Sequence, residues 1–210
     1  QESLDLYGNL GLLFHYRGRF HDAEQVQRKL LRVYTQRTGD NTPDIADISH
    51  NLGRVLFDIG RLEEALWQFQ RAADIWQRDF GPHHSLSLLA QTGIADVMFR
   101  QGNYQAAMEL YRVVLSTRQR LLGSKHLHTV QSGAGLGVAL RNLGQLQEAE
   151  TLYRELLATL QEIVEPHHQF TIACMNNLAS VLLQQKKYSQ AAELLDEVLS
   201  LHIAIHGELH

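Results

Sequence analysis

Twelve histidines stand in the 210 residues, and six of them fall in close pairs: His83 with His84, His126 with His128, His167 with His168. Neutral imidazoles held near one another can ligate zinc or copper, and histidine is the side chain that exchanges protons near neutral pH. Yet no cysteine or carboxylate accompanies these pairs at ligand spacing, and each lies in a turn-like stretch, GPHHS, GSKHLHT or EPHHQFT. Turn residues that cap helices are therefore the expected role, with no metal. Protonation of this row in mild acid is expected to loosen the chain. A second candidate, SGAGLGVAL, holds Gly133, Gly135 and Gly137 and superficially has a dinucleotide-binding pattern. The third required glycine is missing and no strand precedes the segment, so nucleotide binding is not expected. Gly137 has a packing reason, whereas Gly133 and Gly135 have no obvious one; a weak helix is expected there, a place to flex or to admit a ligand backbone. Serine, histidine and aspartate are plentiful, but no nucleophile elbow, metal-binding helix or phosphate loop is written among them. The chain is read as a non-enzyme without cofactors.

What orders these residues is a period of 42. Gly18, Gly60, Gly102 and Gly144 fall at that interval with Lys186 in the fifth place, and Ala23, Ala65, Ala107, Ala149 and Ala191 each follow five residues on. A period in this range makes a solenoid, in which each unit covers its apolar face only by stacking on the next. Five units, at roughly 1–40, 41–82, 83–124, 125–166 and 167–210, fill a single domain with no internal linker. Within a unit, two helical patterns meet at the glycine turn. Leu10, Leu52, Ile94, Leu136 and Leu178 are each followed by a small residue and then an apolar one at helical spacing. Those small residues, Gly11, Gly53, Ala95, Gly137 and Ala179, lie across the turn from the alanine series, so the two helices can approach closely as an antiparallel hairpin. The second helix carries Phe69, Tyr111, Tyr153 and Leu195 four residues after the alanine, with Gln27 as the exception.

Leucine, a small residue, a large apolar one, then alanine and an aromatic four later is the tetratricopeptide pattern, and the chain resembles that family over its whole length. Its usual first position, tryptophan, is degenerate here: Tyr7, Ser49, Gln91, Gly133 and Met175. The longer period and the Gly/Pro/His loops resemble the kinesin-light-chain type of repeat, whose first helices carry Asn-Leu-Ala segments like Asn177, Leu178, Ala179. The resemblance implies an all-α, right-handed superhelical solenoid of five antiparallel helix pairs whose first helices line a concave side. It also implies a protein-recognition role, because such surfaces bind partner segments.

Counting by helical geometry from the buried leucines places a groove along those first helices. Its candidate residues are Asn9, Tyr16, His50, Asn51, Arg54 and Asp58, then Asp96, Phe99 and Arg100, then Arg141, Asn142, Asn176 and Asn177. Asparagine and arginine on rigid helices can hydrogen-bond a peptide backbone, while Tyr16, Phe57 and Phe99 offer apolar contact. Arg54, Arg100 and Arg141 suit acidic residues of the partner. A clamp for a terminal carboxylate is not expected: Asn9 and Asn51 match it, but Asp5 and Asp47 stand where it needs lysine and would repel the ligand. A net charge of −4 provides no basic face for nucleic acid or anionic lipid, and no apolar run is long enough to span a membrane. The lone Cys174 suits a reducing, cytoplasmic setting. Trp67 occupies a site that is Gln25, Glu109, Thr151 and Glu193 elsewhere, and is the candidate homo-oligomer contact. The chain opens without Met inside a helical pattern and closes at GELH, like the start of an interrepeat loop, so it is read as a piece of a longer protein prone to end-to-end association. The alternative function is an oligomerisation or regulatory arm of a larger multidomain signalling protein of the NTPase-switch type.

Overall fold

Apolar residues recurring every three or four positions wind the chain into α-helices in consecutive pairs, and no strand occurs among the described residues. The computed structural model describes residues 2–165 and 167–207, with side chains for 8–165, 167–204 and 207. The side chains of Asp5 and Tyr7 and the terminal residues 208–210 lie outside that set. In chain order they are α1 (Glu2–Tyr16) and α2 (Phe20–Thr38), α3 (Pro43–Asp58) and α4 (Leu62–Phe80), then α5 (Ser85–Arg100) and α6 (Tyr104–Leu122). They continue with α7 (Leu127–Asn142) and α8 (Leu146–Ile163), then α9 (Gln169–Gln184) and α10 (Tyr188–His206). Two compact units hold them: Gln1–Gly102 with α1 to α5, and Asn103–His210 with α6 to α10. Within each unit, every helix packs on the next in sequence.

The hairpins close through one backbone device. Gly60 takes φ +85°, its N–H donates to the Phe57 carbonyl, and the Arg61 N–H reaches back to that of Leu56. A residue without Cβ enters this left-handed region freely, so glycine ends the first helix of a pair. Lys186 adopts φ +63° at the fifth turn and carries a cost on the order of 1 kcal/mol for it. Beyond the turn, Ala23, Ala65, Ala107, Ala149 and Ala191 are wholly buried, which is what a close crossing requires. The loop histidines are caps: the Nδ1 atoms of His84, His126 and His168 accept from the N–H groups of Leu86, His128 and Phe170 at 3.4, 3.2 and 3.2 Å. Among the described residues no three His, Cys, Asp or Glu side chains converge as metal ligands.

Packing within and between pairs rests on matching a large side chain to a missing one. A Cβ on Gly53 would sit 3.0 Å from the Phe69 ring, and one on Gly93 would sit 2.8 Å from it. Tyr111 fills the space at Gly135 to within 2.8 Å, Leu156 does so at Gly133, and Tyr153 approaches Gly137 to 2.5 Å while donating to the Ala134 carbonyl. The expectation that Gly133 and Gly135 mark a flexing or ligand-facing helix is therefore corrected. Both admit side chains of the flanking second helices, α6 and α8. Trp76 and Leu160 are buried as core, as the sequence suggests.

Ion pairs add a second interrepeat link, and they recur three periods apart. In the first unit Glu24 pairs with Arg28 at 2.8 Å and with Arg61 at 2.6 Å. In the second, Glu150 pairs with Arg154 at 2.9 Å and with Lys187 at 2.6 Å. Leu66 and Met108 take the carboxylate's place in the repeats between. Glu150 is buried, and the Lys187 ammonium, ahead of the opposing effect of burial and helped by Arg154, holds its carboxyl below the usual range. A depressed carboxyl stabilises the fold above its unfolded pKa and loses that contribution as pH falls through the folded value. Lys187→Met is expected to cost about 1–2 kcal/mol in urea unfolding at pH 7. It should also flatten the stability loss below about pH 4.5; an unchanged acid limb would show that the pair does not couple to folding.

Candidate functional site

In the first unit α1, α3 and α5 approach one another across α2 and α4 and leave two clefts at equivalent repeat positions. The first, about 250 Å³, lies between α1 and α3 over α2, with Asn9 and Leu12 on one wall, Asp44, Asp47 and Asn51 on the other, and Gln27 in its floor. The second, about 290 Å³, lies between α3 and α5 over α4. His50, Arg54, Phe57 and Asp58 come from α3, Leu89, Thr92 and Asp96 from α5, and Phe69 forms the floor. Gln27 and Phe69 are one period apart, so the two clefts are one architectural site with different floors.

The second cleft is apolar below and charged at its rim. Gly93 withdraws its side chain from above Phe69, and Leu89 stands 37% exposed on the wall. His50 is buried, its ring 5.4 Å from that of Phe69 and 5.5 Å from that of Trp76. Burial pushes its imidazole down to about 4; the Arg54 charge adds to this and a hydrogen bond with Asn51 opposes it. The Arg100 guanidinium lies 4.9 Å from the centre of the Phe57 ring, a cation–π contact that braces the wall. His15 of α1 donates to Asp58 of α3 at 2.6 Å and ties the neighbouring first helices together.

The predicted groove residues thus divide. Asn9 and Asn51 meet in the first cleft, while His50, Arg54, Asp58 and Asp96 meet in the second, with Arg100 at its edge. Tyr16 is 74% exposed at the end of α1, outside both, and half-buried Phe99 lies a turn beyond Asp96. Arg141 and Asn142 on α7, and Asn176 and Asn177 on α9, belong to the second unit, where Asn142 donates its amide to the Val138 carbonyl of its own helix. Trp67 faces outward, 56% exposed, with the Arg71 guanidinium 5.5 Å from its ring centre and Arg71 bonded to Asp40. Sequence reasoning passed over Leu89, Gly93 and the two floor residues as site-formers. The signal was present in the pairing of Phe69 with Gly93, where the preceding repeat pairs Gln27 with Asn51.

A family model described as tetratricopeptide repeat matches residues 2–66, 44–120 and 126–204. No curated protein matches the sequence. Among solved structures, a candidate kinesin light chain of Podosopora anserina with nearly identical TPR-like repeats is 22% identical, with a TM-score of 0.81 over 97% of this chain and 96% of that one. BtubC (BKLC) from P. vanneervenii is 20% identical, with a TM-score of 0.81 over 98% of this chain and 82% of that one. A Rap protein complexed with competence and sporulation factor is 16% identical, with a TM-score of 0.78 over 93% of this chain and 52% of the other. At these identities the likeness is one of fold.

The lowered His50 pKa fixes a sign. The unfolded chain binds this proton below about 6.5 and the folded one only near 4, so stability is complete above that window and falls as pH drops through it. The loss amounts to about 3 kcal/mol across the window. His50→Phe is expected to remove this slope from urea-unfolding curves taken between pH 7 and pH 4; an unaltered slope would place the titration elsewhere.

Proposed function

The chain belongs to the tetratricopeptide repeat family, and from that premise we propose that its first unit binds an extended segment of a partner protein along α1, α3 and α5. The fold is typical of protein-interaction scaffolds and is generally non-enzymatic. Among the described residues no helix is long and apolar enough to cross a membrane. The observation that carries the proposal is the cleft floored by Phe69. Its recess is lined by exposed Leu89 and by Arg54 and Asp96, with Arg100 at its edge over Phe57, which suits an apolar side chain whose flanking backbone is held by polar groups. A structural neighbour solved with competence and sporulation factor supports the capacity of this fold to hold a ligand. On the second unit, Arg141, Asn142, Asn176 and Asn177 are proposed to contact a partner segment in their own right.

Trp67 favours a second reading, a self-association surface on the arm of a larger protein, because a half-exposed indole on a second helix lies away from the clefts. The two separate in one experiment, a selection from a displayed library of natural disordered peptides on wild type, Leu89→Arg and Trp67→Ala. Peptide binding predicts a shared motif on wild type and Trp67→Ala that is lost on Leu89→Arg, whose thermal stability should be unchanged. The same motif on Leu89→Arg, or none on wild type, contradicts it. A fall in solution mass on Trp67→Ala supports the second reading.

A further inference from the structure

Where the second repeat floors its cleft with Phe69, the first puts Gln27 at the same position. That side chain is 1% exposed, contributes to the cleft floor, and its Oε1 atom has no hydrogen-bond partner. A buried amide oxygen without a donor is a standing cost, and native chains tolerate few of them. Of the other polar groups of the cleft, Asp44 and Asp47 contribute carboxylates, Asn9 and Asn51 contribute amides that can turn their oxygens inward, and Tyr34 contributes a hydroxyl. Asp47 is partly withdrawn from water and next feels Asp44, and both effects raise its carboxyl above the ordinary range. Two mutually repelling carboxylates, two amides and an unmet acceptor therefore surround one recess of about 250 Å³. Its chemistry asks for a compact cation with several N–H donors.

We propose that the cleft lined by Asn9, Gln27, Asp44, Asp47 and Asn51 receives the charged end of a lysine or arginine side chain of the bound partner segment. The inference rests on the reading that α1, α3 and α5 hold such a segment, and it sharpens that reading into a spacing. Adjacent helices pack roughly 8–10 Å apart, and an extended chain rises about 3.3 Å per residue. The basic anchor over Gln27 and the apolar anchor over Phe69 then stand about three residues apart in the ligand.

The displayed-library selection is run on wild type and on the Asp44→Asn/Asp47→Asn double variant, whose changes are at exposed positions. Wild type is expected to enrich peptides with Lys or Arg about three positions from an apolar residue. The double variant should keep the apolar preference and lose roughly tenfold in the basic one. An apolar motif without a basic residue, or a basic preference equal in both proteins, overturns this inference and leaves the peptide-binding reading standing. A second measurement decides the cleft by itself even if no peptide is enriched. The full chain is titrated with capped lysine (acetyl-lysine methylamide) and with the capped norleucine equivalent, and the side-chain amide resonances of Gln27, Asn9 and Asn51 are followed. Saturable shifts with lysine alone are expected, and no shift, or equal shifts with norleucine, overturns the assignment.

Discussion

An aromatic ring four residues after the buried alanine of a second helix is accommodated because the first helices facing it give up Cβ atoms. Phe69 between Gly53 and Gly93, Tyr111 at Gly135 and Tyr153 at Gly137 all obey this constraint, with rings 2.5 to 3.0 Å from where a Cβ would stand. Interiors close-packed to this degree have no slack for one methyl group, so each aromatic specifies the residue that faces it. The constraint does more than glue neighbours together. By giving up its side chain at residue 93, α5 lets the Phe69 ring pack against its backbone and form the floor between α3 and α5.

Electrostatics supplies a second link between repeats. Gln27 replaces the aromatic in the first repeat, Asn51 stands where Gly93 does one period later, and Glu24 bridges to Arg61 across the same junction. The last described junction repeats the solution, with Glu150 held between Arg154 and Lys187. Such pairs are weak at an exposed surface and matter where one partner is buried, as Glu150 is, because losing the cation would leave an uncompensated carboxylate. Leu66 and Met108 hold the same place in the repeats between, and Arg112 pairs with Glu148 from α6 to α8. Repeats of one fold thus differ in how they are joined, and the differences reappear as different floors on the binding face.

The period, the glycine turns, the buried alanines and the helix pairs were legible because each is a local or strictly periodic signal. Gly133 and Gly135 were misjudged because the side chains that need them, Leu156 and Tyr111, lie on neighbouring helices more than twenty residues away. Single-helix periodicity cannot show a partner across a turn. Helical counting put His50 on the face of the first helices but did not show its depth, which Phe69 and Trp76 of α4 determine. It could not show that the Tyr16 ring at the end of α1 stands in solvent, nor that Asn142 donates its amide to its own helix.

The most direct test is a double-mutant cycle on Phe69→Leu and Gly93→Ala, read by urea unfolding. Alone, Gly93→Ala should destabilise by about 1–3 kcal/mol despite the better helix propensity of alanine, because its Cβ meets the ring. In the Phe69→Leu background the same change should cost little, giving a coupling of at least about 1 kcal/mol. Additivity within about 0.5 kcal/mol would contradict the account, since ring and glycine would then be independent and neither the packing nor the floor would follow from their pairing.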